Sequence, residues 1–453
     1  MNSSRILATP GRFPRLLLPV PGAADPTDLD AAVAAGAFNA LRAAVEELQA
    51  DGVIKAITES GMRGRGSRGL PVGEKWRACA GAGTATVGAA GPGSRYVVVN
   101  AYQSDPAVMT DRVLLERNPY AVIEGAAIAA FAVGASEVLV AVRAEATAAI
   151  RVVEAAIAAA ESAGYIGENV LGSGAEIRFS VRPLQGSYML GEETVLLKGL
   201  EGKRGQPEQQ PPYTTTRGLF GQPTLIHGPQ TFAAVPTIIA GGIAGFPETA
   251  AAGFTGTILV QISGAVAHPG IAEVPFGVTI REVLDVAGGV PAPHKLKALL
   301  VGGPSGGILP HDALSLSFDH ETLEGAGAHI GSGSIVAIDQ HSCVVDLATV
   351  LTRFCADQAC GKTIPCRIGL RRLAEIGARV CEGQPRGDEI ARLTDLSVDI
   401  VGSALCDHER RATLALLGVV RYFRDELDAH IVRNTCPAGI CQPKAEARAG
   451  VVS

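Results

Sequence analysis

The chain has 453 residues, a net charge of −6 from 39 Lys and Arg against 45 Asp and Glu, a pI of about 5.9 and a mean hydropathy of +0.24. That length calls for two to four domains with cores of their own, and the mild acidity excludes a general attraction to nucleic acid or to an anionic membrane. Seven of the nine cysteines lie beyond residue 350, a placement unlike a secreted disulfide framework and suited to metal or cluster ligands in a C-terminal domain.

At the N-terminus, arginines and a short apolar "LLLPV" are interrupted by Pro14, Pro19 and Pro21, which would break the apolar core of a secretion signal, so a cytoplasmic location is expected. Residues 30–60 read as a helix with apolar residues at helical spacing. A loop dense in Gly and Arg follows. "YVVVN" (residues 96–100) is a short buried-strand pattern, "PYAVIEGAAIAAFAVGA" a helix, "EVLVAVR" a strand, "EATAAIRVVEAAIAAAESAG" a helix and "EIRFSV" a strand. This alternation predicts an α/β layer fold with a mainly parallel sheet over the first 245 residues. The most apolar stretch, "GAAIAAFAVGASEVLVAV", is broken by Glu137 and gives helix, turn and strand rather than a membrane span. Near residue 250 the texture changes to short alternating strands, a turn at Pro269 and Gly270 and one amphipathic helix, which suggests a β-grasp domain. From about residue 340 to 432 the pattern is helical with cysteine-bearing loops, and "NTCPAGICQPKAEARAGVVS" reads as a folded hook with a frayed tail.

Three motifs carry chemistry. The segment from Gly61 to Trp76 has Gly at 61, 64, 66, 69 and 73 interleaved with Arg63, Arg65, Arg68 and Lys75. Glycines let backbone N–H groups turn toward an anion and the cations add charge, which suits a phosphate or a flavin phosphate; a surface loop is the competing reading. Gly191, Glu192 and Glu193 open a helix where negative charge is favoured, which solvated capping acids would also explain. In "ACGKTIPCR", Cys360 and Cys366 have the spacing of an iron-sulfur loop whose middle ligand is replaced by Thr363.

Taken in order, the glycine loop, "NAYQSDPAVMTDRVLLERNPYAVIEG", "LGEETVLLKGLEGKRGQP", the β-grasp run, "ACGKTIPCRIGL" and "LCDHERRATLALLGVVRYFRDELDAHI" resemble the NADH-binding flavoprotein of respiratory complex I. The same order marks its relatives in NAD-linked hydrogenases and formate dehydrogenases, and the resemblance runs from about residue 30 to 441. It implies a Rossmann-like FMN-binding α/β domain (1–248), an SLBB-like β-grasp domain (249–338) and a helical-bundle iron-sulfur domain with a cysteine hook (339–453). In that pattern NADH gives a hydride to FMN and electrons leave singly through a 4Fe-4S cluster. FMN would lie along Gly64, Arg65, Gly66 and Lys75, with Asn100, Gly191 and Thr231 also matching, and Glu192 and Glu193 would be the acidic pair beside flavin and nicotinamide.

The chain departs from the family at clustered positions. Leu70 and Ala78 stand where two rings sandwich NADH, Tyr102 and Gln103 replace an acidic pair, and His227 and Gly228 replace two flavin-contacting amides. Cys360, Cys366 and Cys406 match three cluster ligands and Thr363 stands at the fourth, which leaves a 3Fe-4S cluster, a 4Fe-4S cluster with a labile site, or none; Cys355 is a candidate substitute. Cys381, His430, Cys436 and Cys441 form a set suited to tetrahedral zinc, while Cys79 and Cys343 read as packed core thiols. The expected function is an electron-transfer flavoprotein subunit partnered by a thioredoxin-like 2Fe-2S subunit or a ferredoxin, with no nucleic acid and no direct membrane insertion. A non-catalytic scaffold paralogue, or a flavoprotein with another donor and a pocket remade by Tyr102 and His227, are the alternatives.

Overall fold

The computed structural model describes residues 5–19, 25–66, 68–83, 94–245 and 255–441. The proline-rich signal reading at Pro21, the proposed boundary at 248–249 and the frayed tail lie partly or wholly outside them. The chain forms two compact units, one of Met1–Val260 with Ile271–Val278 and one of Gln261–Gly270 with Thr279–Ser453.

The first unit is built on four parallel strands: β1 (Tyr96–Ala101), β2 (Glu137–Arg143), β3 (Arg178–Leu184) and β4 (Thr224–His227), in the order β3-β2-β1-β4. Val97, Val98 and Val99 of β1 are fully buried, as a strand covered on both faces requires. The chain steps from β1 outward to β2 and β3, then returns to the other side of β1 for β4. The crevice at the carboxyl ends of β1 and β4 is therefore the topological switch point, where open α/β sheets bind ligands. Two helices cover the sheet nearby, Pro119–Val133 and Pro229–Gly245. They pack so closely that a Cβ on Gly125 would collide with the backbone carbonyl of Phe232.

The helix expected over residues 30–60 is divided into Leu29–Ala34, Asn39–Ala43, a wide turn at Ala44–Leu48 and Gln49–Glu59. The break has a local cause: Gly36 sits at φ +104° and Phe38 at φ 65°, backbone values no α-helix contains. Glu124 of the neighbouring helix accepts the Leu41 N–H at 3.1 Å and so caps the new start.

The strands β5 (Thr257–Gly264) and β6 (Gly270–Pro275) are cut by the division between units. Within the first unit, Glu273 of β6 accepts the backbone N–H groups of Leu16, Leu17 and Leu18 at 2.6, 2.9 and 3.0 Å and the Thr257 hydroxyl at 2.6 Å. In the second unit, β7 (Leu296–Val301), β8 (Gly307–Pro310) and β9 (Ser334–Asp339) complete the β-grasp pattern; β5 runs parallel to β9, and β7 antiparallel to β8 and β9. Its helix Ile280–Val286 opens with a capping box between Thr279 and Glu282. The helices Val344–Asp357, Leu370–Cys381, Glu389–Gly402, Leu414–Tyr422 and Arg424–Ile431 follow and share one core with the sheet. Gly418 lets the fourth of them lie against β8, since a Cβ there would meet the Ile308 carbonyl at 2.6 Å.

Asp111 shows how burial near the switch point enters stability. Burial pushes its carboxyl up to about 6, against the opposing hydrogen bond from Gln230 Nε2 at 2.9 Å. The folded-state value lies above the unfolded one, so the folded state holds the extra proton, and stability falls as pH rises from about 4 to about 6. Asp111→Asn keeps an acceptor for Gln230 without the charge. It should raise stability at neutral pH by about 3 kcal/mol and lose that advantage near pH 4. Denaturant unfolding at the two pH values measures this, and an equal effect at both would rule the charge out as the cause.

Candidate functional site

The glycine loop closes on itself before it meets the sheet. Arg63 and Pro71 form an antiparallel bridge, the Gly64 N–H donates to the Leu70 carbonyl at 2.9 Å, and Arg63 Nε donates to the Gly69 carbonyl at 2.6 Å. The Arg65 N–H then donates to Thr231 Oγ1 at 3.0 Å, tying the loop to the start of the helix that follows β4. Arg65 itself is only 4% exposed. Its guanidinium donates to the carbonyls of Thr257 (3.2 Å) and Arg63 (2.9 Å) and lies over the Phe276 ring. Burial pulls its pKa down to about 9 despite the opposing charge of Glu273. The side chain expected to supply charge to a phosphate thus braces the loop, and Lys75 is the loop cation that faces the switch point.

Lys75 Nζ reaches Glu193 Oε1 at 2.5 Å and the Ile226 carbonyl of β4 at 2.8 Å, and Thr214 Oγ1 donates to the same Glu193 oxygen at 2.8 Å. Asn100, at the end of β1, donates through Nδ2 to the Gly191 carbonyl at 3.0 Å. Gly191 approaches so closely that a Cβ would lie 2.5 Å from Ser104 Oγ. Glu192 caps the helix Glu193–Leu200 with one oxygen, Oε2, which accepts from Thr194 N, Val195 N and Thr194 Oγ1 at 3.0, 2.9 and 2.6 Å. Burial raises its carboxyl above the usual range while those donors pull the other way. The expected residues Gly64, Lys75, Asn100, Gly191, Glu192, Glu193 and Thr231 are thus linked around the carboxyl ends of β1 and β4, and Gly66 has open space beside its Cα. Ammonium, amide and hydroxyl groups beside a glycine cradle fit a flavin mononucleotide.

Three of the replaced positions, His227, Tyr102 and Gln103, are filled by side chains with partners of their own. The Trp76 indole donates to His227 Nε2 at 3.1 Å, which places the imidazole proton on Nδ1; burial first, then Lys75 and Arg65, hold His227 well below the usual imidazole range. Tyr102 is buried and donates to the Gly186 carbonyl at 2.6 Å. Gln103 bridges Thr110 Oγ1 and the Arg112 N–H. Leu70 is 47% exposed, and Ala78 is exposed too.

In the second unit the cluster loop leaves the helix Val344–Asp357 and enters the wide turn Pro365–Gly369. Cys366 and Cys406 are buried and Cys360 is partly so. Burial, then the charges of Glu409, Cys406 and Cys360, push the Cys366 thiol up to about 12, so the three expected ligands are gathered within electrostatic reach. Thr363 Oγ1 donates to Glu409 Oε1 at 2.7 Å. Cys355 is fully buried and donates to the Pro304 carbonyl at 3.5 Å. Three sulfur ligands and a further anionic group fit an iron-sulfur cluster.

The zinc set differs from the expected one. Cys343, His430, Cys436 and Cys441 bring their ligand atoms within 4.8 Å of one another, whereas Cys381 groups with Asp346 and Cys441. Cys343, read from the sequence as a packed thiol, starts the helix Val344–Asp357 and places Sγ 3.5 Å from His430 Nε2 and 3.7 Å from Cys441 Sγ. His430 Nδ1 donates to the Glu426 carbonyl at 2.8 Å, which leaves Nε2 as the ligand atom. Burial opposes ionisation of Cys436, but the N–H groups of Cys441, Ile440 and Ala438, with His430, outweigh it and bring its thiol down to about 6. Three sulfurs and one imidazole at this spacing suit a closed tetrahedral zinc site.

These two centres, one at the switch point of a parallel sheet and one in a cysteine-bearing helical region, define a flavin and iron-sulfur type of electron-transfer protein. Residues 57–237 match the family described as Nuo51 FMN-binding domain, 259–309 the SLBB domain, and 346–430 the NADH-ubiquinone oxidoreductase-F iron-sulfur binding region. The chain is 36% identical over 405 residues to the second F-type subunit of the NADH-quinone oxidoreductase of Rhizobium meliloti, covering 89% of this chain and 94% of that one. It is also 36% identical to the HndC subunit of the NADP-reducing hydrogenase of Solidesulfovibrio fructosivorans, over 93% of this chain and 84% of that one. A crystal structure of an NAD+-reducing [NiFe]-hydrogenase in the H2-reduced state matches with a TM-score of 0.76 and 29% identity, over 84% of this chain; the chain spans 62% of the matched hydrogenase chain. The chain therefore belongs to the family of F-type NADH-quinone oxidoreductase subunits and their hydrogenase relatives.

The ligand set can be read out by metal analysis. One zinc per chain is expected, lost in Cys343→Ser and retained in Cys381→Ser; retention in the first with loss in the second would return Cys381 to the site and remove Cys343 from it.

Proposed function

We propose that this chain is the flavoprotein subunit of an electron-transfer complex: it takes a hydride from NADH and sends single electrons through an iron-sulfur cluster to a partner subunit. The observation that carries the reading is the convergence of Lys75, Glu193, Asn100 and Gly191 with the Arg65–Thr231 link at the carboxyl ends of β1 and β4. FMN, when bound, accepts two electrons together and releases them one at a time, which joins a hydride donor to a one-electron carrier. Lys75, with Gly66 leaving open space beside its own Cα, would hold the phosphate. Glu193, fixed by Thr214, aims the Lys75 ammonium, and Asn100 is aimed by the Gly191 carbonyl. Glu192 commits Oε2 to its helix cap, and Oε1 receives no donor among the described residues, so that oxygen is assigned to the hydride-donor side.

The domain limits 1–248, 249–338 and 339–453 form part of this proposal. Relatives are named as subunits of NADH-quinone oxidoreductases and of a hydrogenase, which supports partnership with other subunits. A thioredoxin-like 2Fe-2S subunit or a ferredoxin is the partner we infer, in the cytoplasm. Among the described residues no helix is long and apolar enough to cross a membrane. Exposed Leu70 and Ala78, in place of stacking rings, favour weakened nicotinamide binding over loss of the flavin.

Two measurements bear on this reading. Anaerobically purified chain should carry FMN whose visible absorbance bleaches with NADH, and Leu70→Phe with Ala78→Phe should lower the NADH concentration for half bleaching by about tenfold, from roughly 0.5 to 1.5 kcal/mol per stacked ring. Flavin that bleaches with dithionite and not with NADH would point to a different donor. Lys75→Met should weaken FMN binding by about ten- to a hundredfold, the loss of one charge-assisted hydrogen bond, as measured by flavin fluorescence quenching on titration. Unchanged affinity would remove Lys75 from the site.

A further inference from the structure

Glu409 is 1% exposed. Its Oε1 accepts from Thr363 Oγ1 at 2.7 Å and its Oε2 from the Leu405 N–H at 2.9 Å. Both donors are neutral, and among the described residues no lysine or arginine forms an ion pair with it. A carboxylate out of water with neutral partners alone is costly unless a cation compensates it. Cys366 lies within electrostatic reach of Glu409 and of the other two expected ligands, Cys406 and Cys360, and each of these thiols binds iron as an anion. Through Thr363 the carboxylate is fixed to the cysteine loop at the one position of the ligand pattern that has no sulfur.

We propose that Glu409 supplies the fourth protein ligand to the iron-sulfur cluster, its carboxylate oxygen taking the iron that Thr363 cannot hold. An ionised carboxylate offers about four lone-pair positions, and two are occupied here, which leaves room for iron. The substitution also preserves charge. Replacing a thiolate by a threonine hydroxyl removes one negative charge from the cluster's surroundings, and a glutamate three residues beyond Cys406 restores it. Thr363 then acts as a positioning residue, its hydroxyl holding Oε1 at the place where the loop spacing puts the missing sulfur.

This inference rests on the reading of the cysteine loop as a cluster site, and reconstitution separates the two. Full-length chain is loaded anaerobically with iron and sulfide, then examined by iron analysis and EPR in the oxidised and reduced states. Wild type should hold a four-iron cluster, EPR-silent when oxidised and signal-bearing when reduced. Glu409→Gln keeps both hydrogen-bond partners but ligates poorly. It should drop from about four irons to about three per chain and show the oxidised-state signal of a three-iron cluster. Adding Thr363→Cys to Glu409→Gln should restore the four-iron cluster, which also controls for folding. A three-iron cluster in wild type alongside a four-iron cluster in Thr363→Cys overturns the role of Glu409 alone. So does a four-iron cluster of unchanged spectrum in Glu409→Gln. Failure of every variant, Thr363→Cys included, to hold iron overturns the cluster reading with it.

Discussion

The flavin-binding unit depends on a buried cation, the Arg65 guanidinium, that braces the glycine loop from inside. Arg65 is taken out of water, held over Phe276, and hydrogen-bonded to the carbonyls of Arg63 and Thr257. Such a charge is tolerable only with a compensating anion, and Glu273 is that anion; its carboxylate in turn gathers three successive amides of the N-terminal segment. The backbone N–H of the same arginine meets Thr231, so the loop cannot shift without breaking the guanidinium's contacts. A flexible glycine loop thereby acquires a fixed position beside the switch point, the preorganisation that a phosphate site needs.

With Arg65 committed to the interior, electrostatics at the site reduce to Lys75 and the acidic pair. Lys75 is shared between Glu193 and a β4 carbonyl, so an incoming phosphate competes for a cation that already has an anionic neighbour. The two glutamates, adjacent in sequence, have separate tasks: Glu193 faces the cation, and Glu192 is spent on one oxygen to start a helix. The neutral Trp76–His227 pair fills the wall beside them without adding charge.

The α/β architecture is legible in the sequence wherever one face pattern dominates. The runs that form β1, β2 and the helix Pro119–Val133 are almost wholly apolar, and Gly134 in the left-handed conformation marks the end of that helix. The strand β4 and the helix Pro229–Gly245 are not, because "TLIH" is only four residues long and the helix carries Pro236. Site residues carried by local motifs are readable, because loop and cap chemistry is written in adjacent positions. Pairings made through tertiary packing are hidden. Arg65 resembles a phosphate ligand because its neighbours are glycines, and only the position of Glu273, more than two hundred residues away, turns it inward. Cys343 looks inert because nothing near it in sequence is a ligand. Glu409 sits in the charged run "DHERR", where nothing in the local sequence signals that His408 and Glu409 are both buried.

The hook from Cys436 to Cys441 joins residues far apart along the chain. Cys343 and Cys441 are separated by 98 positions, so an ion seated among them would close a loop that contains every helix of the cysteine-bearing region. Closing a loop of that length removes about 4 to 5 kcal/mol of chain entropy from the unfolded ensemble, by the arithmetic that applies to a disulfide. The bond differs from a disulfide in being reversible by chelation and indifferent to thiol reductants. Resistance of this region to proteolysis would then follow the supply of metal, with Cys436 and Cys441 acting as its clasp.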